Sequence, residues 1–252
     1  MHRQRLIVVL SVLLASLLLF QPAAGAAGQV NYKTGISGTV CLTIDDGYSR
    51  QAITQALSAL RAKGVHCTFF VIGSRLTATP DLWRQAVRDG HEICYHSMNH
   101  NILSSWNDQA ILNDLRQWNK KAKSVLGESY SIPKFARLPG GGGHENKRIQ
   151  ALFSSMGYKL ISWSADTYTG VIKRGSHNLN RRIADYIKKS TKANSIILIH
   201  FNSADVQAIP YYIDWLTSHY KVGRVSDAFQ VLPIIPKLPK LPGTPNPKPP
   251  HT

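Results

Sequence analysis

Cysteine is scarce in this chain: Cys41, Cys67 and Cys94 are the three thiols in 252 residues. At least one must stay unpaired, which excludes a disulfide framework as what holds the molecule together. Their wide spacing also excludes the short cysteine pairs of a structural zinc site. Each falls in an apolar stretch of strand length, so they read as buried, inert thiols, with a bridge between neighbouring strands as the alternative. Acidic residues are few as well, 14 against 30 lysines and arginines, for a formal charge of +16. Strongly basic chains often seek nucleic acid, but no basic run interleaved with aromatics is present, and that class is set aside.

Long apolar runs are missing except at the N-terminus. There Arg3 and Arg5 precede an apolar run over 6–20, short of the roughly 20 residues that a membrane-spanning helix needs. Pro22 and Ala24-Gly25-Ala26 follow, so 1–26 reads as a signal peptide, with an uncleaved anchor as the alternative. No stable transmembrane span is expected. Cleavage would remove Arg3 and Arg5 and take the formal charge from +16 to +14. A basic exported surface suits an anionic cell-wall polymer, unless it is merely solvated.

From residue 38 onward, strand-length apolar runs alternate with helical periodicity. Strands are predicted at 39–44, 66–72, 92–95, 134–137, 158–163, 195–199 and, weakly, 223–226. Helices are predicted at 50–63, 81–89, 107–126, 145–156, 179–189 and 206–220, four of them closing at Gly64, Gly90, Gly127 and Gly157. Pro210 has to sit in the first turn of the last helix. Such alternation gives an α/β fold with parallel pairing through right-handed crossovers. About seven units make either an open doubly wound sheet or a closed, irregular barrel, and pattern alone does not separate them. In both, functional residues gather at the C-terminal ends of the strands. The chain thus divides into the signal peptide 1–26, a lead-in 27–37 that is expected to be flexible over 27–34, one domain over 38–232 and an extended tail 233–252. That tail holds eight of the thirteen prolines.

Five strand ends carry polar groups. The first runs out into Asp45-Asp46-Gly47-Tyr48; alternation points the two carboxylates differently, so that one can bind a cation while the other faces the water to be activated. An ordinary Asp-Gly turn is the alternative. The third ends in His96-Ser97-Met98-Asn99-His100, and on a helical turn i,i+4 spacing puts both imidazoles on one face, able to share a divalent ion. The 195–199 strand stops at His200, which titrates near neutrality and can act as a general acid. Arg137 precedes Leu138-Pro139 and four glycines, Gly140 to Gly143; the arginine can hold a carboxylate by a paired hydrogen bond, and the glycine backbone N–H groups can serve an oxyanion. Asp166, after Trp163, can orient a histidine or simply start a turn.

Taken together these residues resemble the polysaccharide deacetylases with the NodB homology domain, carbohydrate esterase family four. Thr43–Gly47 (TIDDG) is similar to TFDDG, His96–His100 to HSxxH, Arg137–Gly141 (RLPGG) to RxPxG, Asp166 to the first position of DxxDW, and Leu198–His200 to LxH. The resemblance covers about 38–232. It implies a distorted (β/α) barrel in which Asp46, His96 and His100 bind a divalent metal, Zn2+ first, with Co2+, Ni2+ or Fe2+ accepted by the same ligands. It further implies Asp45 as base, Arg137 as its holder, His200 as the acid that protonates the leaving amine, Asp166 as the group tuning His200, and Gly140 N–H at the oxyanion. Three departures bear on substrate contacts: Thr169-Gly170 stand where the family has Asp-Trp, Tyr48 replaces a frequent proline, and Gly140 replaces a frequent tyrosine. Gly140 and Tyr48 are the substrate-binding candidates.

The activity so implied is removal of N-acetyl groups from N-acetylglucosamine units of peptidoglycan or a chitin-type chain by a secreted enzyme. Two rivals stand beside it: an esterase acting on O-acetylated xylan, and a non-catalytic basic protein that binds the wall.

Overall fold

The computed structural model describes residues 30–174 and 177–229. Nine strands are described, β1 (Val30–Asn31), β2 (Thr39–Asp46), β3 (Thr68–Val71), β4 (Glu92–Tyr95), β5 (Phe135–Ala136), β6 (Lys159–Ile161), β7 (Ala165–Asp166), β8 (Ile196–His200) and β9 (Lys221–Gly223). They form one sheet, ordered β1-β6-β5-β4-β3-β2-β8-β7 with β9 also on β2, and every ladder between named strands is parallel. Six longer helices cross between strands: α1 (Arg50–Ala62), α2 (Pro80–Arg88), α3 (Asp108–Leu126), α4 (Lys147–Ser155), α5 (Leu179–Ser190) and α6 (Ser203–His219).

Chain connectivity forces the sheet to curl. Only Ser162, Trp163 and Ser164 join β6 to β7, a link that reaches about 14 Å at full extension. In a flat sheet the same two strands would lie six spacings apart, about 29 Å. The two margins are therefore brought together: Ser162 N–H to Asn31 O at 2.8 Å and Ser164 N–H to Ile196 O at 2.9 Å fix the link to either margin, and Thr34 N–H to Asn194 O at 2.9 Å crosses the gap with an antiparallel bridge between Lys33 and Ser195. This decides between the two architectures that periodicity left open. It also corrects the flexible lead-in, because Val30 is buried and residues 30–34 help close the barrel. The signal peptide and the proline-rich tail lie outside the described residues.

Alternation then sorts the side chains. One face of the strands packs against the helices through Val40, Leu42, Ile44, Phe69, Val71, Ile93 and Ile197. The opposite face fills the barrel with Cys41, Phe70, Cys94, Phe135, Ile161 and Ile196. All three cysteines are buried and free, and burial pushes each thiol well above its usual range. Continuing the interior rows by two or four residues reaches Asp45, His96, Arg137, Trp163 and His200 at the C-terminal rim. The period of two that fills the barrel thus also aims the polar groups.

Three local expectations differ, the first being the weak strand at 223–226, which lies at Lys221–Gly223 and is followed by a short helix over Val225–Ala228. Residues 97–99 form a turn, not a helix; Ser97 and His100 have φ of 55° and 62°, a left-handed backbone that few non-glycine residues adopt. Helix α6 begins at Ser203, three residues before the expected start, because the Asn202 side chain caps it by accepting from Asp205 N–H. Pro210 consequently lies inside the helix and not in its first turn.

The turn after β4 is held from both sides. Gly73 N–H and Ser74 N–H donate to Ser97 O and Met98 O at 2.9 and 2.8 Å. From α3 the buried carboxylate of Asp114 accepts from Met98 N–H at 3.0 Å and from the Tyr95 hydroxyl at 2.7 Å. Burial raises the Asp114 pKa, against the lowering effect of those donors. Asp114→Ala leaves both donors without a partner and is expected to cost about 3 kcal/mol, read as a lowered midpoint in thermal or urea unfolding, whereas an unchanged midpoint would show that the turn stands without it.

Candidate active site

At the rim, Asp46, His96 and His100 present ligand atoms that all lie within 4.8 Å of one another. His96 Nε2 and His100 Nε2 stand 3.6 and 3.4 Å from Asp46 Oδ1. Edges of a tetrahedron built on zinc–ligand bonds are about 3.3 Å, so the spacing fits a small divalent ion. His96 Nδ1 lies 2.9 Å from Arg137 O. A carbonyl only accepts, so Nδ1 carries the proton and Nε2 is left bare, the form a ligand needs. Asp46 Oδ1 is buried without a hydrogen-bond partner, as an oxygen reserved for an ion would be.

Electrostatics agree with the spacing. Burial raises the Asp46 pKa, but the neighbouring His96, His200 and His100 outweigh it and the net shift is downward. His100 is lowered, by burial first and then by His96, against the pull of Asp46 and Asp45. A carboxylate kept ionised beside an imidazole kept neutral is the ligand state at neutral pH. Asp46 itself has φ of 83°, and Gly47 follows at 111°. A Cβ on Gly47 would meet the Trp83 ring at 2.7 Å, so only glycine allows the chain to turn there.

Asp45 points to the barrel interior, where Arg137 is fully buried. One guanidinium nitrogen donates to Asp45 Oδ1 at 2.7 Å and to Thr43 Oγ1 at 2.8 Å. The others donate to Ser162 O at 2.9 Å and Ile161 O at 3.2 Å, and the plane lies 4.2 Å over the Phe70 ring. The sequence suggested a two-pronged grip on the carboxylate; the contact is single, because the second prong is spent on the β6 carbonyls. Asp45 Oδ2 is therefore left toward the site, 3.6 Å from His96 Nε2.

His200 sits opposite, paired with Asp45 across the β2–β8 ladder. Burial alone would lower its pKa, but Asp205, Asp45 and Asp46 together raise it to about 9. Asp205, fully buried, lies with Oδ2 3.7 Å from His200 Nδ1. Asp166 was expected in that place. Its oxygens instead accept from Tyr168 N–H, Thr169 N–H and Thr169 Oγ1 at 2.9, 3.4 and 2.6 Å, capping the short helix Thr167–Gly170. Gly170 has no room for a side chain, since its Cβ would fall 2.4 Å from Tyr186, whose hydroxyl accepts from Asp166 N–H at 3.3 Å. Gly140 has φ of 58° in an exposed turn. Tyr48 is half-exposed, with the Arg75 guanidinium 4.5 Å over its ring. Tyr168, also half-exposed, stands edge-on to His200 at 6.4 Å.

Asp205 and Asp114 were not found from the sequence. Asp114 did leave a signal: it shares the apolar stripe of Ile111, Leu115 and Trp118, where a carboxylate is out of place. Asp205 looks like an ordinary first-turn acid. A cavity of about 610 Å³ at the other end of the barrel, lined by Glu92, Phe135 and Arg224 among others, contains none of the site residues; the convergence of reactive groups, not cavity size, marks the site. Arg137→Met leaves the Asp45 charge buried and unpaired, which is expected to cost about 3–5 kcal/mol and to appear as a large drop in urea midpoint; a drop below about 1 kcal/mol would contradict the pairing.

Comparison with known proteins agrees with this arrangement. The family model described as polysaccharide deacetylase matches residues 33–161, just over half of the chain. A peptidoglycan-N-acetylglucosamine deacetylase of Bacillus cereus is 29% identical over 166 residues, covering 66% of this chain and 74% of that protein. Another from Listeria monocytogenes is 31% identical over 128 residues, covering 51% of this chain but 26% of its own longer length. Among solved structures, the chitin deacetylase of the fungal pathogen Colletotrichum lindemuthianum superposes with a TM-score of 0.72 at 24% identity, covering 82% of this chain and 94% of that one. A CE4 family pseudoenzyme from Bacillus anthracis gives 0.71 at 19%, covering 81% and 69%. At such identities the likeness establishes the fold, a parallel sheet curled into a distorted (β/α) half-barrel with helices around it. By its sequence over residues 33–161 and by that fold, this chain belongs to the polysaccharide deacetylase family.

Proposed function

We propose that this protein is an exported, divalent-metal-dependent enzyme that hydrolyses the N-acetyl groups of N-acetylglucosamine units in peptidoglycan or a chitin-type chain. The observation that carries the reading is the convergence of the Asp46, His96 and His100 ligand atoms beside a carboxylate, Asp45, that Arg137 holds by one oxygen only. Two imidazoles and one carboxylate fit zinc best, with cobalt, nickel or iron as other occupants. When bound, such an ion polarises the acetyl carbonyl and makes water more acidic.

The chain's own groups do the rest. Asp45 Oδ2 takes the proton from the attacking water, while Oδ1 remains fixed by Arg137. The family resemblance assigns the Gly140 N–H, in the exposed turn after Pro139, to the oxygen on which negative charge grows. Breaking the C–N bond needs a proton on nitrogen, because an amide anion is too poor a leaving group, and His200 as imidazolium supplies it from the opposite side. The products are acetate and a free amine. Tyr168 and the face of Tyr48 that Arg75 leaves uncovered are half-exposed aromatic surfaces, which suits the apolar faces of sugar rings in an open groove. The basic composition favours an anionic polymer around the substrate, and export follows from residues 1–26. No described helix is long and apolar enough to cross a membrane.

Asp45→Asn is expected to reduce acetate release from N-acetylglucosamine oligomers by at least about 1000-fold while divalent-ion affinity changes little; retained turnover would refute the role of Asp45. Assayed side by side, acetylated xylan is expected to release less acetate than these oligomers, and the reverse order would favour the esterase reading. Because the acid works when protonated, kcat should fall as pH rises through His200's value of about 9. A bound cation disfavours the imidazolium, so the midpoint belongs at or below that value; a profile flat to pH 10 would exclude His200 as the donor.

A further inference from the structure

We propose that Asp205 is the positioning residue for His200: its carboxylate takes the Nδ1–H of that imidazole and so aims Nε2 at the acyl site. The inference rests on reading His200 as the proton donor of the deacetylase.

The two side chains are already locked together through the backbone. Asp205 Oδ2 accepts from His200 N–H at 3.0 Å and from Asn202 Nδ2 at 2.8 Å, while Asn202 Oδ1 accepts from Asp205 N–H at 2.9 Å. Asp205 is fully buried, at the first turn of α6. Its Oδ1 has no hydrogen-bond partner, and neither has His200 Nδ1. The buried ring nitrogen thus stands unsatisfied 3.7 Å from the nearer carboxylate oxygen, Oδ2, which already takes two donors, while Oδ1 of the same carboxylate takes none. Closing by about 0.8 Å makes a hydrogen bond, and such contacts are often long before substrate binds.

The bond has one polarity. An ionised carboxylate only accepts, so Nδ1 keeps the proton and the exchangeable one resides on Nε2, across the ring and toward Asp45 and Asp46. Asp166 is not free for this task, because both of its oxygens are engaged in capping Thr167–Gly170. The other groups around the pair are Asp45 and Asp46 from β2, His100 from the turn after β4 and the Tyr168 ring. Tyr212, from within α6, has a buried hydroxyl without a partner and interacts with Asp205. Asp205 is the one carboxylate of this set on the Nδ1 side. It holds the ring in one tautomer and keeps the imidazolium until the leaving nitrogen needs its proton.

The test compares Asp205→Asn, Asp205→Glu and Asp166→Asn in the full chain, loaded with zinc. Two quantities are read: acetate release from N-acetylglucosamine oligomers against pH, and the 15N imidazole signals of His200. Asp205→Asn is expected to lower kcat by about ten-fold or more with KM little changed, and to move the alkaline limb down by about one to two pH units. Asp205→Glu should recover part of the loss, and Asp166→Asn should leave the limb in place. In the wild type, neutral His200 should carry its proton on Nδ1. An unmoved limb in Asp205→Asn, a limb moved by Asp166→Asn instead, or a neutral His200 protonated on Nε2 would each overturn the proposal. Should the wild type release no acetate, the deacetylase reading fails while the 15N titration still decides the Asp205 contact. Should Asp205→Asn not fold, the wild-type tautomer decides it.

Discussion

The rim depends on one buried cation. Arg137 lies inside the barrel with no exposed surface, and a guanidinium is tolerated there only because its donors meet Asp45, Thr43 and two carbonyls of the β6 end. Its side chain fixes one oxygen of Asp45, and its main-chain carbonyl fixes the tautomer of His96. One residue therefore sets both the proposed base and a candidate ligand. Lysine would not replace it, because a point charge cannot serve a carboxylate, a hydroxyl and two carbonyls from one plane.

Everything that surrounds Arg137 follows from the parity of the strands. The same alternation that puts Cys41, Phe70, Cys94, Phe135 and Ile196 inside the barrel brings Asp45, His96 and His200 to its mouth. Curling is needed as well, since only a closed interior lets β5 and β6 face β2 and β8 across a few ångströms. The three-residue link from β6 to β7 and the segment 30–34 enforce it. Three of the five non-glycine residues with left-handed backbone among the described residues, Asp46, Ser97 and His100, lie at the rim; a packed barrel can hold such conformations where a free loop would relax them.

Much of this was legible in the chain. Strand and helix order came from periodicity, the candidates Asp45, Asp46, His96 and His100 came from residue type and spacing after strand ends, and the division of roles between the two carboxylates came from the family resemblance. What escaped was long-range or backbone in origin. The closing role of residues 30–34 needs a partner more than a hundred residues away, and a two-residue strand has no period to read. The turn at 97–99 mimics helical spacing because i,i+4 does not report φ. Asp166 fits a motif, yet Thr169 and Gly170 redirect its oxygens to a cap; Asp205 lies outside any motif and is placed by Asn202, which starts α6 early.

These departures fall around His200 and the exposed rim, while the three candidate ligands and the Arg137–Asp45 pair keep the motifs of the resemblance. The proposed function therefore assigns discrimination among acetylated polymers to Tyr48, Tyr168 and the glycine turn at Gly140, and not to the reacting groups. The account stands or falls on an ion at Asp46, His96 and His100 being the one that supports hydrolysis. The direct measurement is to titrate metal-free protein with zinc, following in the same samples acetate release from N-acetylglucosamine oligomers and the 15N signals of the two histidines. The account predicts that activity and the Nε2 shifts of His96 and His100 rise together and saturate at a single equivalent. Acetate release before any ion is added, or activity that saturates while both rings stay unperturbed, would contradict it.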